Sequence, residues 1–501
     1  MVEHWADTAA KRVLKEHPKK KEYVCASGIT PSGVIHLGNF REIITTDLVY
    51  KGLKMLKKNC KMIYSWDDYD RFRKVPKDIS KDFNKYIGYP VSEVPDPFKC
   101  HKNYAEHFEK ELENSIKSLG FDIKFIRQNQ MYKKCKYAKE IKFVLNKKDK
   151  IVEVLNKYRK EPLSDNWTPL TVYCEKCKTD FTKVVDYDGD YTVSYECKCG
   201  YSNKFDFRKK GICKLKWRSD WAMRWLYEDV SFEPAGKDHF AAGGSRETGV
   251  QIFDSLWNKN PPYGFMYEWI AVKGGGEFSS SAGVVITISE LLEVYEPEIV
   301  RWIFAGSRPN ARFEISFDLD VLKLYEDFDY CERVYFGKEK VSVKEKEKQK
   351  RIYELSSIKI PKKMHEQVGF RHLTILTQLY EGDLSKFKGR TKIRAKCAWN
   401  WVEKYAPESM KFKLVDKVKV KLDDKQREAI RLLTKKLKTK KYTNQSLFEE
   451  CYRICEEIKI RNTDFFKGCY LVLIGKERGP KLTSLILSAG KGRILKIFGQ
   501  I

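Results

Sequence analysis

The strongest constraint on this chain is a strand, a glycine-rich turn, a helix and a second strand in close succession near the amino terminus. Residues 22–26 (EYVCA) make a short apolar run of strand type, and residues 27–39 are rich in glycine, proline and serine. From about Asn39 to Lys54 the pattern becomes helical, with Ile44 and Leu48 one turn apart, and the strand KMIYSW follows at residues 61–66. Two strands joined through a helix run parallel, because only such a crossover returns the chain to start again in the same direction. The unit predicts an α/β fold with a Rossmann-like parallel sheet and ligands at the carboxyl ends of its strands. The turn at 27–39 and the acidic run Asp67-Asp68-Tyr69-Asp70 both fall on that edge.

With 501 residues the chain exceeds one core of usual size. Its segments suggest a Rossmann-like domain over 1–285, with insertions near 90–110 and 165–210 that bind metal. A helical region over 286–350 ends in the charged stretch GKEKVSVKEKEKQKR (337–351), which reads as a solvated helix or linker. Residues 351–501 are expected to be all helical, because Leu447, Cys451, Ile454 and Ile458 recur at helical spacing, as do Ile430, Leu433 and Leu437.

Charge is concentrated in that last segment. It holds 35 Lys and Arg against 16 Asp and Glu, so +19 of the formal net charge of +28 lies there. So much like charge repels itself unless an anion is usually bound, which points to a polyanion-binding domain. No run approaches eighteen apolar residues, and the amino terminus has no apolar core of a secretory signal. A soluble, cytoplasmic protein without a membrane partner is expected; the sequence sets no oligomeric state.

The fourteen cysteines then read as free thiols and metal ligands rather than disulfides. Cys174-x-x-Cys177 and Cys197-x-Cys199 are two close pairs separated by nineteen residues, with Gly200 after the second. Four thiolates so spaced surround one tetrahedral Zn²⁺, in a structural role. A second candidate set is Asp96, Cys100, His101 and His107. From spacing alone, a metal site and histidines on a helix surface are equally good readings of it.

The turn Ser27-Gly28-Ile29-Thr30-Pro31-Ser32-Gly33-Val34-Ile35-His36-Leu37-Gly38-Asn39 offers close backbone approach, N–H groups at a helix start, hydroxyls and an imidazole. Those are the requirements of a phosphate site. His36-Leu37-Gly38-Asn39 resembles the HIGH signature of the class I aminoacyl-tRNA synthetases. Pro31-Ser32-Gly33 matches the form that precedes it in the glutamyl, glutaminyl and class I lysyl members. Some 240 residues on, Gly274-Gly275-Gly276-Glu277-Phe278-Ser279-Ser280-Ser281-Ala282-Gly283 stands where the family has its KMSKS loop. Trp66–Asp70, Trp217–Trp225, Gly236-Lys237-Asp238-His239 and Gly479–Leu482 look like segments of the archaeal type of class I lysyl-tRNA synthetase.

That resemblance implies ATP-dependent attachment of L-lysine to tRNA(Lys) through a lysyl-adenylate, with Mg²⁺ on the phosphates and the helical domain reading the anticodon, on surfaces such as Trp399, Trp401 and Tyr405. It implies catalysis by His36, Asn39, Ser279, Ser280 and Ser281, and an ATP site of Pro31, Ser32, Gly33, His36, Gly38, Asn39 and Lys273. Gly28 and Thr30 are implied at the α-amino end of lysine, with Trp221, His239 and Tyr267 around its side chain. The resemblance also favours a second zinc at Asp96, Cys100, His101 and His107. One departure stands out: Glu277 and Ser280 occupy positions where many members carry lysine, so the second loop holds no cation. The three serines, backbone N–H groups, Mg²⁺, and Lys237 or Lys273 are the expected substitutes, with Glu277 pointing away. A catalytically weakened tRNA-binding paralogue and a glutamyl- or glutaminyl-type synthetase are the alternatives.

Overall fold

The computed structural model describes residues 3–77, 79–273 and 286–501, together with the backbone of 276–277. The chain forms two compact units that interleave along the sequence. Unit 1 takes Met1–Ser289, Arg301–Ile315 and Val341–Ile360; unit 2 takes Glu290–Val300, Ser316–Lys340 and Pro361–Ile501.

In unit 1, helix α1 (Trp5–Glu16) precedes strand β1 (Tyr23–Ile29), helix α2 (Leu37–Met55) and strand β2 (Cys60–Trp66). Helix α3 (Tyr104–Ser115) leads to β3 (Ile123–Arg127). An antiparallel ribbon of β4 (Thr182–Tyr187), β5 (Thr192–Cys197) and β6 (Ser202–Asp206) comes before helix α4 (Trp217–Tyr227), strand β7 (Val230–Phe232) and helix α5 (Ser245–Trp257). The main sheet has the order β3-β2-β1-β7 with every pair parallel, and Ile29 at the end of β1 lies beside Trp66 at the end of β2. The chain steps from β1 to β2 and β3 on one side and places β7 on the other. The carboxyl end of β1 is therefore a point of topological reversal, where open α/β sheets leave a crevice.

Helix α2 is apolar around most of its circumference, with Leu37, Phe40, Ile43, Ile44, Leu48, Val49 and Leu53 all buried. A helix of that kind must be covered on more than one side. The sheet takes one side and α1 another, at a spacing only glycine allows: a Cβ on Gly52 would lie 3.1 Å from Ala6 O and 3.2 Å from Ala10 Cβ. The polar groups of α2 are matched by partners distant in sequence. Buried Asp47 pairs with buried Arg301, whose guanidinium also donates to the carbonyls of Ser356 (2.9 Å) and Leu119 (3.1 Å).

The charged stretch near 340 is a helix, α6 (Val343–Ser356), and it belongs to unit 1. Its amino-terminal half is mostly exposed, as its composition requires. Its last turn is buried through Ile352, Tyr353 and Leu355, and Arg301 and Lys51 donate to carbonyls there, Lys51 to Leu355 O (3.1 Å) and Ser357 O (2.6 Å). Cations at the carboxyl end of a helix satisfy its orphan carbonyls and oppose its dipole.

Unit 2 is helical, including Asp320–Tyr335, Phe370–Leu379, Gly389–Lys404, Asp424–Thr439, Asn444–Ile458 and Asn462–Ile474. The periodic positions meet in one core, where Ile430, Leu433, Leu437, Leu447, Cys451 and Ile454 pack with Phe465, Cys469 and Leu485. Trp401 corrects the expectation of an exposed base-stacking surface. It is fully buried and its indole N–H donates to Phe317 O at 2.9 Å, so it is a core residue; Trp399 and Tyr405 are half-buried. Among the described residues, no helix is long and apolar enough to cross a membrane.

Candidate active site

A cavity of about 450 Å³ opens at the carboxyl end of β1. Its lining brings together residues far apart in sequence: Gly28 at the end of β1 and Thr30 just after it, His36 and Asn39 at the start of α2, Glu42 one turn further, and Trp217, His239 and Tyr267 from later segments. Close packing of backbone makes this possible at Gly28, where a Cβ would come 2.6 Å from Ser65 O on β2. No side chain fits at that spacing.

His36 is the amino-terminal cap of α2. Its Nδ1 accepts the Gly38 N–H at 3.1 Å, while its own N–H donates to Asn39 Oδ1 at 3.2 Å, a reciprocal capping box. Burial lowers the imidazole pKa, so the ring is neutral, and with Nδ1 accepting, Nε2 carries the proton. The cap thus orients His36 as a donor at the positive end of the α2 dipole, where the N–H groups of Gly38, Asn39 and Phe40 are bonded back to His36 itself. The next segment in contact is distant in sequence: Leu37 N–H donates to Ile286 O at 2.9 Å, and His36 bridges Thr287. The residues following the second glycine-rich loop are therefore anchored on the first. Before that loop, Ile270–Val272 pairs with Gly276–Glu277 on one side and Phe313–Ile315 on the other. Ser279, Ser280, Ser281 and the side chain of Glu277 lie outside the described residues.

The carboxylates of the cavity differ in what holds them. Asp67 is buried and bonded to Arg224 (2.6 Å); burial raises its pKa against the pull of the guanidinium. Burial also pushes Asp70 up, but the Lys214 ammonium at 2.8 Å and the Thr30 hydroxyl at 2.9 Å outweigh it and hold the carboxyl below its usual value. Lys214 in turn bonds Asp220 at 2.8 Å, so two buried cations and three aspartates form one closed network. Asp68 points away from the cavity and accepts the Asn129 N–H at 2.7 Å. Asp238 is exposed.

Glu42 is different. Its two oxygens accept from neutral donors, the Gly28 N–H at 2.9 Å and the Tyr267 hydroxyl at 2.8 Å, and among the described residues neither oxygen touches a cation. Burial drives its pKa from 4.5 to about 8, despite those two hydrogen bonds. Aromatic side chains share the lining with it. Trp217 lines the cavity, while Trp221 stacks behind it at 4.9 Å between ring centres and meets His239 edge-on at 5.7 Å. His239 Nδ1 shares a hydrogen bond with Ser245 Oγ at 3.1 Å, and burial keeps its ring neutral. The strand carrying Tyr267 is held by Arg41, which donates to the carbonyls of Trp269, Arg308, Pro309 and Ala311.

Of the residues singled out in the sequence, Gly28, Thr30, His36, Gly38, Asn39, His239 and Tyr267 line this cavity. Trp221 stands one layer behind, and Pro31, Ser32, Gly33 and Lys273 are outside the lining. Glu42, Trp217 and Arg73 line it without having been singled out for it. Trp217 sits one helical turn from Trp221, so its segment was visible but its face was not.

Two groups of side chains have the geometry of metal ligands. The sulfurs of Cys174, Cys177, Cys197 and Cys199 all lie within 4.8 Å of one another. Each pair sits in a tight turn: Lys178 N–H donates to Cys174 O, and Gly200 N–H to Cys197 O, with Lys178 and Gly200 both at positive φ. The left-handed residue after the second pair is a glycine, which adopts that conformation without strain. Asp96, Cys100, His101 and His107 form the other group, also within 4.8 Å. Asp96 accepts the N–H groups of Phe98, Cys100 and His101 at 2.7–3.0 Å, which wraps the loop around its carboxylate.

The chain is similar to known proteins over nearly its whole length. Residues 3–359 match the family described as tRNA synthetases class I (K), and residues 398–496 match an anticodon binding domain. The lysine–tRNA ligase of Borreliella burgdorferi is 43% identical over 514 residues, spanning 99% of this chain and 98% of that protein. That of Pyrococcus furiosus is 42% identical over 518 residues, 98% of each, and that of Methanocaldococcus jannaschii is 38% identical over 528 residues.

Proposed function

This chain belongs to the class I lysyl-tRNA synthetases, and from that premise we propose how its cavity performs the reaction of the family. The enzyme attaches L-lysine to tRNA(Lys) with ATP, through a lysyl-adenylate. One observation carries the assignment of the amino-acid pocket: Glu42 is a half-buried carboxylate held, among the described residues, by neutral donors alone, in a cavity that Trp217, His239 and Tyr267 also line. An ammonium group is the ligand that such a site lacks. Its four-carbon stem lies along Trp217 and Tyr267, with His239 neutral and therefore not repelling it. Thr30 and the Gly28 backbone are at the α-amino end. A glutamate or glutamine substrate would leave Glu42 facing a carboxylate or an amide. Arg224 and Lys214 are locked to Asp67, Asp70 and Asp220, and Lys237 to Glu268, so none of these three is available to a substrate carboxylate.

ATP then lies along the turn that ends in His36, with the Nε2–H of His36 and the side-chain N–H groups of Asn39 turned to its phosphates and the positive end of the α2 dipole behind them. Pro31, Ser32 and Gly33 shape the turn, and Lys273 with Ser279–Ser281 belongs to the second loop that closes the site. Mg²⁺, arriving with ATP, spreads the phosphate charge. The lysine carboxylate attacks the α-phosphorus in line, and the adenylate so formed gives its acyl group to the terminal ribose of the tRNA. Neither step needs an enzyme nucleophile; both rest on positioning and on fixed dipoles.

The four-thiol cluster suits Zn²⁺ by donor type and count, and Asp96, Cys100, His101 and His107 suit a second ion. Four protein ligands leave no position for substrate, so both are structural. The helices of 398–496 take the anticodon arm, and the enzyme works in the cytoplasm, where such thiols stay reduced. The test is charging of a tRNA(Lys) transcript with labelled lysine. Lysyl-tRNA should accumulate with ATP; a chain that binds the transcript and never acylates it would be a non-catalytic paralogue.

A further inference from the structure

The second loop of this enzyme contains no lysine or arginine between Gly274 and Gly283, yet charge must build on pyrophosphate as it leaves. The cavity shows where a cation is available. Among the described residues, two Lys or Arg side chains line it, Lys237 and Arg73. Lys237 is committed, with its ammonium 2.9 Å from Glu268 Oε2. Arg73 is exposed and makes no hydrogen bond or ion pair among the described residues. Its charge is felt by Asp180, but Arg71 already stands 3.4 Å from that carboxylate.

The position of Arg73 also fits. It follows Asp70 by three residues, on the segment that leaves the carboxyl end of β2. That segment runs beside the first glycine-rich turn, because a Cβ on Gly33 would lie 3.8 Å from Pro76 Cγ. Tyr104 fixes the same turn by donating its hydroxyl to Ser32 O at 2.9 Å. Arg73 thus borders the turn that the reading above assigns to ATP, whereas Glu42 and Tyr267 are tied to each other and to Gly28 elsewhere in the lining.

We propose that Arg73 contacts the β- and γ-phosphates of ATP and stabilises pyrophosphate as it departs, in place of the cations absent from the second loop. In the step concerned, a lysine carboxylate oxygen bonds to the α-phosphorus while the bond from that phosphorus to the bridging oxygen breaks. The bonding pair and its charge leave with pyrophosphate, and no proton moves. A planar guanidinium meets two of the phosphate oxygens at once.

This proposal rests on the assignment of lysine activation above, and the experiment separates the two. Lysine-dependent ATP–pyrophosphate exchange is measured for the full-length wild type, Arg73→Ala and Arg73→Lys, with thermal melts to confirm folding. Exchange by the wild type supports the underlying assignment, and its absence would sink that assignment and this one together. With the wild type active, Arg73→Ala should lower kcat about 10²–10³-fold. The KM for lysine should stay unchanged, and Arg73→Lys should recover part of the rate. If Arg73→Ala leaves exchange intact, changes only the KM for lysine, or slows only transfer from adenylate to tRNA, Arg73 does not serve the leaving group.

Discussion

Replacing Glu42 with glutamine removes one charge from the lysine pocket and keeps its shape. The empty pocket holds the Glu42 carboxyl at about 8, mainly through burial, so near neutral pH most molecules carry it protonated. A bound ammonium requires the ionised form. Lysine binding therefore expels a proton below pH 8, and affinity must rise with pH until the carboxyl is ionised beforehand. The linkage gives a slope of about tenfold in Kd per pH unit between roughly pH 6 and 7.5, flattening above about 8. Glutamine keeps one acceptor oxygen, for Gly28 or Tyr267, and places an NH2 donor where the other oxygen stood; it also gives the ammonium no counter-charge, and losing one partner of a desolvated charged pair costs about 2–5 kcal/mol. Glu42→Gln should thus weaken lysine binding by about 30-fold or more near pH 8 and abolish the slope. Titration calorimetry of lysine in buffers of different ionisation heat reads both affinity and the released proton. A wild-type affinity indifferent to pH over this range, or a glutamine variant that keeps the slope, would refute the role given to Glu42.

Gly28→Ala should cost about 1–3 kcal/mol of stability, because its Cβ would fall 2.6 Å from Ser65 O on a neighbouring strand that has no room to retreat. Thermal unfolding checks this, and an unshifted midpoint would mean that β1 and β2 do not approach so closely. Elemental mass spectrometry of the purified protein should find two zinc ions per chain. Cys177→Ser should remove one of them and expose the β4–β6 ribbon to limited proteolysis, since such ribbons fold only around their ion; a variant that kept both ions would place the metal elsewhere.

The parallel arrangement of the first two strands follows from residues 22–66 alone, because a strand, helix and strand in that order admit one handedness and one direction. The cysteine pairs were equally readable, since spacing alone decides whether four sulfurs converge. What escaped was set by tertiary packing. β7 has only three residues, too few for a periodic signal, yet it creates the reversal at β1 that opens the cavity. Glu42 looks like a solvent-facing residue in a helix until the helix proves buried on most sides. Asp67 stands in the acidic run at the end of β2, but its charge is taken by Arg224, more than 150 residues away in the sequence. The charged stretch near 340 reads as a solvated helix or linker, and a helix it is, but nothing local reveals that Arg301 and Lys51 bond to its last turn.

ATP–pyrophosphate exchange with lysine, glutamate and glutamine in parallel reaches the heart of the matter. A pocket built on a carboxylate that only neutral groups hold should support exchange with lysine and leave the other two at background. Exchange driven by glutamate or glutamine would show that the pocket receives a different side chain, and silence with all three would show that this cavity does not activate amino acids.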